Sequence, residues 1–331
     1  MPAARRVAVP LRLTRAAARP ATGAVCALGG ATMGTTWSVK AVMAASERDL
    51  VRRDIAAVLD RVIAQMSTWL PSSDICRFNA ARAGETIALP DEFHAVLSCA
   101  LRIARDSDGA YDPAIGRLVE LWGFGPAPRR ATPPAPDAIK AAHDAGGWRR
   151  LTLAADGALT QPGGLQLDLS SIAKGFAVDL VAARLRERGL AHFLVEIGGE
   201  LLGAGVKPDG TPWFVGVEHA ADPKAASRAP LVIALHGLAV ATSGVERAFV
   251  HDGHCYSHTI DPRNGWPVAS GLACATVLHT SCMEADAYAT ALMVMGAEHA
   301  RAFAAAHHLA ARVVTDDGTE HISPALAAML A

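Results

Sequence analysis

The sequence predicts an α+β fold, built from mixed or antiparallel sheets with helices packed against them, and three observations predict it. Alternating or β-branched runs are interleaved with runs of helical period, yet without the strict strand–helix–strand rhythm of a doubly wound sheet. No repeat of fixed length is visible. The 331 residues, 51% of them hydrophobic, can bury a large core as one domain or as two closely joined lobes.

The first thirty residues form a basic leader, Arg5, Arg6, Arg12, Arg15 and Arg19, with no acidic residue, followed by the small-residue run Ala21–Gly30. The leader is similar to the start of an export signal without its continuous apolar centre, which points to the periplasm or the periplasmic face of the inner membrane, with the cytoplasm as the alternative. The expected division is therefore 1–32, an export signal or disordered leader, and 33–331, the folded body of the protein. Order is expected from Met33, where Met33–Lys40 reads as a strand.

A helix follows from about Ser46 to Met66, because Ile55, Val58, Leu59, Val62 and Ile63 recur at helical spacing, and Pro71 stops it. Ser72–Asn79 reads as a turn or cap outside the core. Leu89–Arg105 suggests a second helix, closed by Ser107-Asp108-Gly109, and Pro126–Pro136 a surface connection. Leu151–Leu153 and Leu165–Leu169 read as short strands. The helix expected over Ser171–Arg188 ends at Gly189. His192–Ile197 reads as a strand, with Trp213–Val217 and Leu231–Leu235 as its neighbours. Ala275–Leu278 then leads into a helix over Met283–Met295, and Ala311–Val314 is the last strand.

Bulk properties exclude several functions. Acidic and basic residues nearly cancel, 32 against 31, so nothing in the overall charge calls for nucleic acid as a partner. Six cysteines lack any CxxC spacing, which argues against an iron–sulfur cluster, a structural zinc site or a disulfide scaffold. There is no dinucleotide-binding Gly-rich turn, Walker A loop or zinc-hydrolase helix. No apolar run reaches the length of a membrane span.

The chemistry-bearing segments are few. Gln166–Gly175 sets a short strand against a helix start rich in Ser, a geometry that suits an anion, and Lys174 is one of only five lysines. Asp168 and Lys174 bracket that start, either for a ligand or to pair with each other. Asp286 and Thr290, four residues apart, share a helix face and offer two hard oxygens to a small divalent cation; a cap and a solvated polar stripe is the alternative. Thr242-Ser243 follows an apolar strand, as a phosphate contact or an ordinary turn. His258 sits in an alternating run before a rigid turn, where Asp261 could orient it as a base or leave it a satisfied polar ring. Gly198-Gly199-Glu200 permits close approach to a ligand or forms a bulge. Tyr111-Asp112-Pro113 and Trp122 supply aromatic surface on which a flat ring could stack, or simply fill the core.

Taken in order along the chain, these segments resemble the ApbE family, FAD:protein FMN transferases once described as thiamine-biosynthesis lipoproteins. The matching residues are Met33-Gly34-Thr35; Ser73-Asp74-Ile75 with Phe78-Asn79; Tyr111-Asp112-Pro113 with Gly116 and Trp122; Asp168-Leu169 with Ile172–Gly175; Gly198-Gly199; Ala241–Gly244; His258 with Ile260-Asp261-Pro262 and Gly265; and Ala285-Asp286 with Ala289–Leu292.

The resemblance implies a ligand cleft between lobes that holds FAD, with Mg²⁺ across its pyrophosphate, and transfer of FMN to a threonine hydroxyl of an acceptor protein with release of AMP. It implies metal binding by Asp286, Thr290 and the Ala173 carbonyl, phosphate contacts from Lys174, Thr242 and Ser243, and further cofactor contacts from Ser171 and His258. Met33, Tyr111, Asp112, Gly198, Gly199 and Glu200 would line the flavin or adenosine pocket. His258 stands where the family's proposed catalytic histidine stands; His258 or Asp286 would take the proton and Lys174 would stabilise the charge.

Asp74 in place of a commoner Glu, Ser170-Ser171 in place of two glycines, and Glu246-Arg247 without a preceding aromatic depart from the family pattern. Two rival functions use the same residues: a Mg²⁺-dependent FAD pyrophosphatase giving FMN and AMP, and a noncatalytic flavin-binding protein. The sequence assigns no oligomeric state.

Overall fold

A computed structural model describes residues 6–11, 23–217, 230–245 and 248–330. Most of the basic leader and the Glu246-Arg247 pair lie outside the described residues.

In chain order the elements are β1 (Arg6–Ala8), β2 (Ala24–Thr32), β3 (Thr35–Met43), α1 (Arg48–Met66), α2 (Asp74–Ala80), β4 (Thr86–Ala88), α3 (Asp91–Asp106), α4 (Gly116–Leu121), α5 (Pro136–Asp144), β5 (Thr152–Leu153) and β6 (Ala158–Thr160). There follow α6 (Ala173–Glu187), β7 (Phe193–Ile197), β8 (Glu200–Ala204), β9 (Trp213–Val217), β10 (Leu231–Leu235), β11 (Leu238–Gly244), β12 (Ala248–His251), β13 (His254–Ser257), β14 (Leu272–His279), α7 (Cys282–Ala306), β15 (Ala310–Thr315), β16 (Glu320–Ile322) and α8 (Pro324–Ala327).

The α+β expectation holds. An eight-stranded sheet, ordered β16-β15-β14-β11-β8-β7-β3-β2, is antiparallel at every pairing, and a three-stranded sheet β1-β10-β9 contains one parallel pairing. Two-residue periodicity splits the large sheet between two cores. Trp37, Val39, Ala41, Phe193, Val195, Ala239 and Ala241 face the side of α1, α6 and α7. Val42, Leu238, Val240 and Leu278 face the side of β9, β10 and α8. A smaller cluster gathers Leu118, Trp122, Ile139 and Ile260. On α1, Val51, Ile55, Val58, Leu59, Val62 and Met66 make the apolar stripe that docks on the sheet.

Several expectations need correction. The 1–32 leader is not wholly outside the fold: β2 pairs through all nine of its residues with β3, and β1 pairs with β10. Arg6 reaches Glu320, which also takes the buried Arg312 at 2.5 Å. Ser72–Asn79, expected as a turn or helix cap outside the core, does hold a cap, with Ser73 accepting from the Cys76 amide at 3.2 Å, but it continues as α2, whose Ile75 and Phe78 are fully buried in the core.

Leu165–Leu169 is not a strand of any ladder. Its backbone is satisfied instead by the Asn79 and Gln161 side chains, which accept from the Leu167 and Leu165 amides at 2.8 and 3.1 Å. β9 and β10 pair with each other rather than with β7, whose neighbours are β3 and β8. β15 is followed by one more strand, β16. α7 breaks at Gly296 (φ 76°, ψ 167°), so its first part ends where the sequence pattern ends, at Met295.

Candidate active site

The helix start at Gln166–Gly175 and the helix that carries Asp286 and Thr290 meet. Ser281 caps α7 by accepting from the Glu284 amide at 3.3 Å, which places Asp286 just over one turn in, facing α6. Asp286 Oδ2 accepts from the Gly175 amide at 3.0 Å, and the approach is close enough that Gly175 has no room for a side chain: a Cβ there would lie 2.3 Å from the Cys282 carbonyl oxygen.

The start of α6 differs from its expected form. The helix begins at Ala173, its cap Ile172 makes no side-chain hydrogen bond, and Ser170-Ser171 lie in the preceding turn. Part of the amide row expected for an anion is thus occupied by a carboxylate of the protein itself. Asp168 does not pair with Lys174; its Oδ1 accepts from the Ser170 amide at 2.8 Å, and burial raises its pKa.

Lys174 is directed to two other acids. Its Nζ donates to Glu200 Oε1 at 2.5 Å and lies 3.8 Å from Asp286 Oδ1. Glu200 is 3% and Asp286 4% exposed. Burial, and then the Asp286 charge, push Glu200 up to about 8. Burial raises Asp286 as well, against the pull of Lys174 and the Gly175 amide. Burial disfavours the Lys174 ammonium, but the two carboxylates outweigh it and raise its pKa. With both acids ionised the cluster is one positive charge short, and Glu200 Oε2 is buried without a hydrogen-bond partner.

Strand alternation decides what β11 contributes. Ser243, on the face of Ala239 and Ala241, meets Thr290 of α7 hydroxyl to hydroxyl at 3.1 Å. Thr242 takes the other face and bonds across the strands to Thr276 at 2.9 Å, so the expected joint approach of Thr242 and Ser243 to a phosphate is not what the strand presents.

Met33 (φ 46°) and Gly34 turn the chain from β2 into β3, and the adjoining Thr35 packs on Gly198, beside the Lys174 stem. The structure therefore brings together Lys174, Gly198, Glu200 and Asp286, with the Ser243–Thr290 pair one turn along α7.

Tyr111, Asp112 and His258 are placed differently. Tyr111 is 2% exposed and Trp122 fully buried, so neither offers the stacking surface expected of it. The Tyr111 hydroxyl reaches Ser171 Oγ at 3.3 Å, which links it to the α6 start. Asp112 accepts from the Ala114 and Trp148 amides at 2.7 and 3.1 Å, and its burial lifts it to about 6. It lines a cavity of about 460 Å³ with His143, Trp148, Pro262 and Arg263, and none of Lys174, Glu200, Asp286 or Thr290 lines it. Volume alone therefore does not mark the carboxylate cluster.

His258 follows β13, half-buried and edge-on to Phe124 at 6.3 Å, and not within a continuing strand. Asp261, expected to orient it, gives both oxygens to Arg263 at 2.8 Å. Exposed aromatic surface is found instead at Trp69, 64% exposed between α1 and α2.

Sequence reading also passes over Asp179. Only the α6 spacing from Gly175 to Asp179, one turn apart on a face turned toward α7, could signal it.

Among the described residues no three His, Cys, Asp or Glu side chains cluster for a metal. What the site offers a cation is the Asp286 carboxylate and, one turn along α7, the Thr290 hydroxyl, oxygen donors suited to a hard ion. A cation there would supply the charge that lets Glu200 give up its proton, and the unpartnered Glu200 oxygen fits such an ion.

A sequence profile of the ApbE family matches residues 33–313, which hold every residue of this cluster. The chain belongs to the ApbE family.

Among its relatives, the FAD:protein FMN transferase of Vibrio cholerae is 38% identical over 297 residues, covering 88% of each chain. That of Haemophilus influenzae is 36% identical and covers 94% of this chain and 93% of its own. The apo crystal structure of the Pseudomonas stutzeri flavinyl transferase ApbE superposes with a TM-score of 0.84 at 37% identity, covering 92% of this chain and 96% of its own. The Vibrio cholerae flavin transferase gives 0.85 at 36%, over 92% and 98%. These family members share the α+β architecture described above.

Proposed function

We propose that this ApbE-family protein transfers FMN from FAD to a threonine hydroxyl of an acceptor protein and releases AMP, with Mg²⁺ held by Asp286, Thr290 and the Ala173 carbonyl. The observation that carries the reading is the buried, under-compensated pair of carboxylates around Lys174, beside a hydroxyl pair, in a chain that matches named transferases over most of its length.

In the transfer the acceptor hydroxyl oxygen bonds to the phosphorus of the FMN half, the bond from that phosphorus to the bridging oxygen breaks, and AMP leaves with the electron pair. When bound, the metal ion supplies Lewis-acid neutralisation of the pyrophosphate and of the leaving phosphate. The protein's own part is threefold. Lys174, held by Glu200, sets a positive charge beside the same phosphates. The tight packing of α6 on α7 fixes Asp286 and excludes water from its flank. The proton of the attacking hydroxyl goes to His258 or to Asp286.

The test is incubation of the purified protein with FAD and MgCl₂, with and without a threonine-containing acceptor protein. A covalent fluorescent acceptor with AMP in equal amount supports transfer. AMP and free FMN in the absence of any labelled acceptor supports the pyrophosphatase instead, and intact bound FAD supports a binding protein.

A further inference from the structure

Asp179 takes no part in the chemistry above, yet it is the most heavily bonded carboxylate between the two helices. From α6 it reaches the first turn of α7: its Oδ2 accepts from the Ser281 hydroxyl at 2.8 Å and the Met283 amide at 3.0 Å, and its Oδ1 from the Cys282 amide at 2.9 Å. These are amides that a helix start leaves without an intrahelical partner. Burial raises the Asp179 pKa, and the three donors oppose that rise.

Asp286 does the converse. From α7 it accepts from the Gly175 amide at the start of α6, four residues before Asp179. The helices are thus clasped twice, each by a carboxylate on the other's opening amides, with Gly175 and the Cys282 carbonyl in contact between them. A slide of α7 along α6 would break both sets at once.

We propose that Asp179 is a positioning residue for the metal site: by capping α7 from α6 it sets the register in which Asp286 rests on the Gly175 amide and keeps its other oxygen turned to the cation. The inference rests on the proposed role of Asp286 as a Mg²⁺ ligand. Removing an outer partner of a metal-ligating group typically lowers metal affinity by about 10–100-fold, and a change of that size is expected here.

Asp179→Asn keeps size and one acceptor oxygen but turns an amide group toward donors; Asp179→Ala removes the clasp. Two readouts decide, both on full-length protein well below its unfolding temperature. The first is the affinity for Mg²⁺ alone, by calorimetric titration of the FAD-bound protein. The second is amide hydrogen exchange without metal, compared at Cys282-Met283 and at Gly175.

The expected result is a loss of Mg²⁺ affinity of about tenfold or more in Asp179→Asn, and faster exchange at Gly175 as well as at Cys282-Met283. The Gly175 amide is the readout that loss of the α7 cap alone would not move, since its partner is Asp286 and not Asp179. Unchanged Mg²⁺ affinity, or faster exchange confined to Cys282-Met283, overturns the proposal. If Asp179→Ala does not fold, the same two readouts on the Asn variant decide the matter. Wild-type protein that binds no Mg²⁺ in the same titration would instead overturn the metal reading on which the inference rests, and the exchange comparison would still report on the clasp.

Discussion

Replacing Gly175 with Ala sets two physical effects against each other. In a helix interior Ala is favoured over Gly by about 1 kcal/mol, so helix propensity alone predicts a more stable protein. Packing predicts the reverse. The new Cβ would sit 2.3 Å from the Cys282 carbonyl oxygen and 2.9 Å from Asp286 Cβ, against an ordinary contact near 3.4 Å. Both obstacles are at or near backbone, so α6 and α7 must part by about 1 Å, which stretches the 3.0 Å bond from the Gly175 amide to Asp286 beyond hydrogen-bonding range.

Overpacking costs about 1–3 kcal/mol, and loss of a hydrogen bond to a charged group about 1.5–3 kcal/mol. Together they exceed the propensity gain and leave a net loss of about 1.5–5 kcal/mol. Urea unfolding followed by far-ultraviolet circular dichroism measures it as a lower midpoint. A midpoint at or above that of the wild type would rule this packing out, because it would mean that the helices are not in the contact described.

Three further outcomes are expected. Glu200 holds a proton in the folded protein up to about pH 8, whereas an unfolded glutamate releases it near 4.5; metal-free stability should therefore fall as pH rises through that window. Mg²⁺ or Glu200→Gln should flatten the fall, and melting temperatures at pH 5, 7 and 9 that decline equally in the variant would count against it. Replacing His258 with Ala should cut transfer by about 100-fold or more while FAD still quenches on binding, and full transfer in that variant would leave Asp286 as the base. Removing Arg6 by Arg6→Ala should lower stability by about 1 kcal/mol, since Glu320 keeps Arg312; an unchanged urea midpoint would show that the Arg6–Glu320 pair adds nothing to the fold.

Much of the fold is legible in the sequence because it follows from local pattern. The apolar stripe of α1, the cap at Ser281 and the end of the first part of α7 at Met295 all depend on residues a few positions apart. What the pattern cannot show is which strands become neighbours, so it sets Trp213–Val217 and Leu231–Leu235 beside β7 when they pair with each other. Nor can it show that Asn79 and Gln161 satisfy the backbone of Leu165–Leu169, Asn79 from far along the chain.

The site follows the same division. Asp286 and Thr290 are visible as a pair at helical spacing, and Lys174 as a rare lysine at a helix start. Their meeting with Glu200 and Ser243, the burial of Tyr111, the opposite facing of Thr242 and the reach of Asp179 across to α7 are consequences of packing, which no single segment encodes.

Whether Asp286 carries the metal ion against the phosphates of FAD can be decided by one comparison. Wild-type protein and Asp286→Ala, each shown to be folded by circular dichroism, are given FAD, an acceptor with a target threonine and a series of MgCl₂ concentrations, and covalent flavin and AMP are both quantified. The wild type should form the two in equal amounts with saturable dependence on Mg²⁺, and the variant should form neither at any concentration. Equal, Mg²⁺-dependent formation of both products by Asp286→Ala would contradict the assignment of Asp286 to the metal.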